Sequence, residues 1–363
     1  MKKGNRFLTV VAVAVLPLLT LGCPDLMGGS SSSSSSPTET LYRGSANPGD
    51  RVSLEVRADR TFTFSNYDFP NQNATGTYAI VEDPFGLEGV ILKKITELGD
   101  DSIDDYRYMF VEVPGQLVIA YLPVGEEPKP QAAVLPAYRD LSIADVAGSY
   151  HFVDMVKNAT DDHGWGRITV DAHGAVTGTR IDAIDGDLPS EESMGNITVG
   201  SDGYFGLDGD GAEHYALSFL PGGAWILDRG VDEGFQVGGA VPATDLALSE
   251  VDGAYTLFGL PKHDVEIGDV TYEAGMGIGK VVIDGTHVNY QNYVIYNDPD
   301  DDEMVTGSFT LTEQPFPGMY TGENEEENRK FRFIFISGTA FFGQMFRDHE
   351  SGGYWDSYYG IKH

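Results

Sequence analysis

Along most of the chain, apolar and polar residues alternate with a period of two over short runs. Each run stops at glycine, proline, asparagine or aspartate. This pattern marks half-buried β-strands joined by tight turns. It is clearest between residues 148 and 241, where it predicts strands at Gly148–Val153, Gly166–Val170, Ala175–Ile181, Gly195–Gly200, Tyr204–Leu207, His214–Leu220, Ala224–Asp228 and Phe235–Val241. No stretch carries the 3.6-residue spacing of a long helix. Short segments ahead of Gly148 and Gly253 read as single helical turns able to plug one end of a barrel.

The pattern repeats. Leu141-Ser-Ile-Ala-Asp-Val-Ala-Gly148-Ser-Tyr150 matches Leu246-Ala-Leu-Ser-Glu-Val-Asp-Gly253-Ala-Tyr255, and Pro136-Ala137 and Pro242-Ala243 stand ahead of them. A hairpin anchor recurs at Leu54 to Asp59, at Ile168-Thr-Val-Asp171-Ala-His-Gly174 and at Val281-Val-Ile-Asp284-Gly285. A third anchor opens at Gly76, Gly195 and Gly307. A fourth runs from Tyr106 to Gly115, from Tyr215 to Gly222 and from Phe331 to Gly338. Four anchors in one order, about 105–120 residues apart, make each copy a whole domain and not a solenoid turn.

About eight short strands per copy, linked as consecutive hairpins, predict an all-β chain of three tandem antiparallel up-and-down barrels, because closure removes exposed edges. β-sandwiches are the alternative, and a six-bladed propeller with two blades per copy comes after them. The expected boundaries are 1–22 for a leader, 23–38 for a linker, and 39–137, 138–243 and 244–363 for the three β copies. Gly148-Ser-Tyr150 and Gly253-Ala-Tyr255, each after a helical turn, resemble the Gly-x-Trp opening of lipocalin-like barrels, with Tyr in place of Trp. The chain is also similar to tandem, uncharacterised β repeats of bacterial surface proteins. The resemblance covers the chain from about Glu39 onward and implies fold more than function.

The N-terminus breaks the pattern. Lys2, Lys3 and Arg6 precede a mostly apolar run from Phe7 to Leu21, too short to span a bilayer comfortably. Leu19-Thr20-Leu21-Gly22-Cys23 resembles the lipobox of bacterial lipoproteins, although Thr20 stands where that motif usually has Leu. Cys23 is the single cysteine of 363 residues. The resemblance implies cleavage before Cys23 and its modification by a diacylglycerol thioether and an amide-linked acyl chain such as palmitate. Several acyl chains anchor stably where one is marginal. Pro24 follows the cysteine and Asp25 comes one place later, which implies the outer membrane over inner-membrane retention. An ordinary cleaved signal with an incidental cysteine is the alternative. Gly28 to Ser36, closed by Pro37, is a serine-rich tether reaching on the order of 20 Å.

The formal charge of −33 becomes −36 once Lys2, Lys3 and Arg6 are removed. That excess argues against nucleic acid and against anionic headgroups as partners. Hydrophobic content of 41% is ample for packed cores.

Candidate chemistry is sparse. Gly275-Met-Gly277-Ile-Gly279-Lys280 imitates a phosphate loop, but Val281 replaces the required Ser or Thr and the spacing is wrong. Small residues in a curved strand explain it better. Asp208, Asp210 and Glu213, and Asp298, Asp300 and Asp302, form two acidic loop clusters with the hard oxygen ligands that suit Ca²⁺. Neither has the twelve-residue loop of an EF-hand, and solvated acidic turns explain them better. The eight histidines are scattered, no Gly-x-Ser-x-Gly elbow exists, and no cofactor is indicated. The third copy is rich in aromatics: Phe331, Phe333 and Phe335 share one strand face and Ile334 and Ile336 the other, with Phe342 and Trp355 following. A strand apolar on both faces lies between two layers or lines a pocket as well as a core. Phe331, Phe333, Phe335, Phe342 and Trp355 are therefore candidates for lining an apolar-ligand cavity.

The expected role is that of a membrane-anchored cell-envelope lipoprotein without catalytic activity, meeting an envelope protein partner. The alternatives are a carrier of a small apolar molecule, implied by the lipocalin-like resemblance, and a hydrolase built from distant residues. A cavity of several hundred Å³ favours the carrier, and filled barrels favour a surface role.

Overall fold

A computed structural model describes residues 39–46, 49–81, 90–99, 108–124, 129–155, 164–181, 191–200, 202–208, 214–219, 224–228, 235–241, 246–260, 265–267, 270–272, 276–295, 300, 302–313, 318–324, 329–336, 340–347 and 354–362. The expected leader, Cys23 and the serine tract lie outside the described residues.

The alternating runs close into three eight-stranded antiparallel barrels, not sandwiches or propeller blades. The first comprises β1 (Glu39–Ala46), β2 (Arg51–Arg57), β3 (Thr61–Asn66), β4 (Ala74–Ile80), β5 (Ile91–Leu98), β6 (Met109–Val113), β7 (Leu117–Val124) and β8 (Lys129–Pro136). The second comprises β9 (Gly148–Met155), β10 (Trp165–Val170), β11 (Ala175–Ile181), β12 (Glu192–Val199), β13 (Phe205–Asp208), β14 (His214–Phe219), β15 (Ala224–Asp228) and β16 (Phe235–Ala240). In the third, β17 (Gly253–Leu260) pairs with β20 (Met276–Asp284), and β21 (His287–Ile295), β22 (Glu303–Glu313), β23 (Met319–Asn324), β24 (Arg329–Ile336), β25 (Ala340–Arg347) and β26 (Tyr354–Lys362) follow in order. A hairpin of β18 (Val265–Ile267) and β19 (Val270–Tyr272) is inserted between β17 and β20, and it is the one sheet among the described residues that does not close.

The repeated motifs have mechanical roles. In Val170-Asp171-Ala-His-Gly174, Asp171 Oδ1 accepts the N–H groups of His173 and Ala175 at 2.8 Å each. Gly174, at φ 90°, turns the chain where a side chain would be strained. The expected helical turns are α1 (Ile143–Val146) and α2 (Leu248–Val251). Tyr150 OH donates to Val146 O at 2.7 Å and Tyr255 OH to Val251 O at 2.6 Å. The tyrosine of Gly-x-Tyr therefore ties each turn to its own barrel, and Val146 and Val251 are fully buried.

Alternation sends one set of side chains into each lumen. On β3, Phe62 and Phe64 are buried while Thr61, Thr63 and Ser65 are half-exposed. Many lumen aromatics face a glycine directly across the ladder: Phe62–Gly76, Phe152–Gly166, Trp225–Gly238, Tyr290–Gly307, Phe333–Gly343 and Phe341–Gly360. A Cβ on Gly360 would lie 2.1 Å from the Phe341 ring, and one on Gly238 2.3 Å from Trp225 Nε1. Ring and glycine are thus a packing unit, which explains a sequence rich in both. The phosphate-loop imitation is strand as well, though without a facing ring: Gly277 and Gly279 lie within β20, and a Cβ on Gly279 would meet Gln291 O at 2.0 Å.

The outer faces are not all solvated. One continuous apolar core draws on all three barrels, with Met109, Leu117, Ile119 and Val134 from the first. Val153, Trp165, Ile226 and Val237 come from the second, and Phe258, Ile278, Ile334 and Phe342 from the third. Strands β1 and β8 pack on β14 and β15, and β9 and β16 pack on β24 and β25. Strands apolar on both faces are those that fill a lumen and a joint at once.

Candidate functional site

The third lumen receives three of the five candidate aromatics. Phe331, Phe333 and Phe335 point inward, with the Phe309 and Phe331 rings stacked at 3.9 Å and 12°. Phe342 instead points outward into the shared core, against Tyr359 at 4.8 Å. Trp355 pairs with Phe346 on β25; its side chain lies outside the described residues. A void of about 20 Å³ remains in this lumen, bounded by Leu257, Tyr290, Phe309, Phe331, Phe333 and Tyr358 among others. That is room for one water and far below a cavity that admits even benzene.

The two acidic loops are only partly described. Asp208 is exposed at the end of β13, Asp300 is exposed, and Asp302 Oδ2 accepts from Tyr293 OH at 3.2 Å. Asp210, Glu213 and Asp298 lie outside the described residues. Among the described residues no group of three or more His, Cys, Asp or Glu side chains converges as a metal site.

Residues that the alternation did not single out form the polar interior. In the first barrel Tyr42 OH donates to Glu112 Oε1 at 2.6 Å, and Lys93 Nζ is ion-paired to Glu112 Oε2. Lys93 lies over the Tyr78 ring at 4.5 Å, and the Lys93 and Glu112 side chains are 5% and 8% exposed. Burial and the Glu112 carboxylate push the Tyr42 phenol well above its ordinary range. Two neighbouring lysines, Lys93 and Lys94, concealed this pair in the sequence; alternation along β5 puts one in the lumen and one outside.

A second polar set lies at a shared register. Pairing runs Gly44–Val52–Asn66 across β1, β2 and β3, Phe152–Gly166–Arg180 across β9, β10 and β11, and Leu257–Gly279–Asn292 across β17, β20 and β21. Asn66, Arg180 and Asn292 are thus equivalent. Asn66 Nδ2 donates to Asp50 Oδ2 at 2.7 Å and its Oδ1 accepts from the N–H groups of Asp68 and Phe69 at 3.0 Å. Arg180 Nε donates to Asp154 Oδ2 at 2.8 Å.

The joints between barrels carry polar pins. Tyr204 OH donates to Val52 O at 2.7 Å, Ser45 Oγ to Asp228 Oδ2 at 2.6 Å, and Ser218 Oγ to Arg43 O at 2.7 Å. Arg51 bridges Asp68 at 2.9 Å and Asp202 at 3.2 Å. Full burial raises the Tyr204 phenol well above its ordinary range. Between the second and third barrels, Gln344 Nε2 donates to Asp154 O, and the buried Arg332 guanidinium lies 5.5 Å from the Trp165 ring centre. His151, on the outer face of β9, is 1% exposed; burial first and then Arg167 hold its imidazole down to about 3.

Among the described residues no helix is long and apolar enough to cross a membrane. No family model matches the chain, and no curated protein matches it. Among solved structures it is similar to transferrin binding protein B from Haemophilus parasuis (11% identity, 90% of this chain and 78% of that one, TM-score 0.28). It is also similar to transferrin binding protein B from Neisseria meningitidis (10% identity, 90% and 78%, TM-score 0.26). A protein of unknown function from the DUF3598 family of Nostoc punctiforme is similar at 9% identity over 60% of this chain and 96% of that one, with a TM-score of 0.23.

Proposed function

We propose that this chain is a lipid-anchored, non-catalytic protein of the bacterial cell envelope, most simply of the outer membrane. It presents three fused barrels as one surface to an envelope partner. The observation that carries the reading is the shared apolar core: three barrels that pack outer face to outer face behave as one body. A filled lumen supports a surface role over a carrier of large apolar molecules, since about 20 Å³ takes one water. The hydrolase alternative needs a nucleophile, a base and oxyanion donors in one place, and no such set meets among the described residues. The possible Ca²⁺ loops add nothing to this reading.

The anchor is tested in cells grown with labelled palmitate. Label is expected in the native chain and in the membrane fraction, and neither is expected for Cys23→Ala. Label retained by Cys23→Ala, or an unlabelled native chain, would overturn the anchor. The surface role is tested by crosslinking in intact cells, with a discrete partner adduct expected; a chain that crosslinks only within itself argues against it.

A further inference from the structure

The joint between the second and third barrels is built in rows. Across β16, β9 and β10 the outward residues run Gly239–His151–Arg167 and, one row on, Val237–Val153–Trp165. Across β24 and β25 they run Ile336–Ala340, Ile334–Phe342 and Arg332–Gln344. The rows meet in order. A Cβ on Gly239 would lie 2.1 Å from Ile336 Cγ1, and Val237, Val153, Trp165, Ile334 and Phe342 share one apolar core. At the far end Gln344 Nε2 donates to Asp154 O and Arg332 lies against Trp165. His151 therefore closes the end of the joint where Gly239 meets Ile336. It is 1% exposed, whereas the next row outward, Ser149–Thr169, is half-buried, so bulk water begins one row away.

The charges around this imidazole have one sign. On the outward faces of the strands that meet here, β10 brings Arg167 and β24 brings Arg332 and Lys330. Among the described residues β9, β16 and β25 turn no charged side chain outward besides His151. Asp154, three residues along β9, points the other way, to Arg180. A proton on His151 thus adds a buried cation to a joint of cations, with no carboxylate on these faces to receive it, and an uncompensated buried charge is costly. The closed joint accepts the neutral ring. Each barrel, by contrast, keeps its own lumen core and closed ladder, which the joint does not share.

We infer that this joint is an acid-opened latch: protonation of His151 parts the third barrel from the second along the Gly239–Ile336 edge, uncovering the outward faces of β24 and β25 while each barrel stays closed. Burial first and then Arg167 hold the imidazole down to about 3 in the closed joint, against 6.5 ordinarily. Below pH 6.5 the parted joint takes a proton that the closed joint refuses. The open-to-closed ratio therefore rises about tenfold per pH unit as pH falls, and above pH 6.5 it is constant. This goes beyond the envelope role and does not depend on the anchor.

The test measures how fast a dipyridyl disulfide, which reacts with thiols in acid as well as at neutral pH, labels Ala340→Cys in the full chain with Cys23→Ala. Rates are taken from pH 7 to pH 4, relative to a free thiol at each pH. The expected result is a rate that rises about tenfold per pH unit below 6.5. His151→Gln is expected to flatten that rise, and Val288→Cys, in the third lumen, to stay protected over the same range. A flat rate, an equal rise in His151→Gln, or labelling of Val288→Cys in step with Ala340→Cys would overturn the inference. If His151→Gln does not fold, the onset decides: a rise that starts only below pH 5, in the range of carboxylates, overturns it as well.

Discussion

At the end where its first strand begins, each of the second and third barrels carries a buried valine on a helical turn. Val146 and Val251 are held there through Tyr150 and Tyr255. Among the described residues the first barrel shows no such turn. Its Tyr42, also a lumen tyrosine of a first strand, reaches Glu112, and Glu112 holds Lys93. The chain ahead of β1 is the serine tract, which has no apolar side chain to offer. One tyrosine thus serves two closures, an apolar plug where the preceding segment supplies it and a charged one where it cannot. The charged closure is the more fragile to single changes, since each buried charge depends on its partner.

The strongest way to break the comparison is Glu112→Leu, which leaves the Lys93 ammonium buried without its carboxylate. A loss of about 3–5 kcal/mol is expected in urea unfolding. The double change Lys93→Met with Glu112→Leu is expected to recover most of it, because an apolar pair can replace a buried ion pair. A double variant as unstable as the single one would mean that charge is not what closes the first barrel.

Acid sharpens the comparison at the joint of the second and third barrels. His151 is held near 3 in the fold against an ordinary value near 6.5. As pH falls below 6.5, the unfolded chain takes the proton before the folded one does. Stability is therefore lost from pH 6.5 downward, amounting to roughly 2 kcal/mol at pH 5 from this residue. Melts of the native chain and His151→Gln at pH 7 and pH 5 should show a smaller acid loss in the variant. Equal losses would exclude His151 as the cause.

The smallest expected effects come from the tyrosines themselves. Tyr42→Phe removes a donor from a carboxylate and is expected to cost about 1.5–3 kcal/mol; Tyr150→Phe and Tyr255→Phe each lose a bond to a carbonyl, at about 0.5–1.5 kcal/mol. Chemical denaturation of the three variants gives the ranking directly. If Tyr150→Phe costs as much as Tyr42→Phe, the two closures are energetically alike.

Much of the fold was legible because a period of two is a local signal. Strands, turns and the Gly-x-Tyr openings all follow from it, and the second copy matched within a few residues at each end. β10 begins at Trp165 instead of Gly166, and β12 at Glu192 instead of Gly195. The double-sided apolar strand β24 also announced the joint. Cross-strand facts were hidden, because register joins residues far apart in sequence: the ring–glycine pairs, the Asn66–Arg180–Asn292 series and the Lys93–Glu112–Tyr42 closure. Phe342 shows the limit within one motif. It neighbours Phe341, which enters the lumen, so alternation sends it out.

The seams differ in length as well. β1 meets β8 through Ser45–Val134 and Ala46–Ala133, with an isolated bridge at Tyr42–Ala137, whereas β9 and β17 each meet their closing strands over six pairs. On the proposed reading the tether enters at Glu39, the opposite end of β1 from those two pairs. Tension along it peels Glu39, Thr40 and Leu41 from β2 one rung at a time until Tyr42 is reached. Mechanical load is thus taken first by the β2 rungs and the tyrosine pin, and past Tyr42 it passes at once to Arg43, Gly44 and Ser45, which carry both the short seam and the bonds to the second barrel.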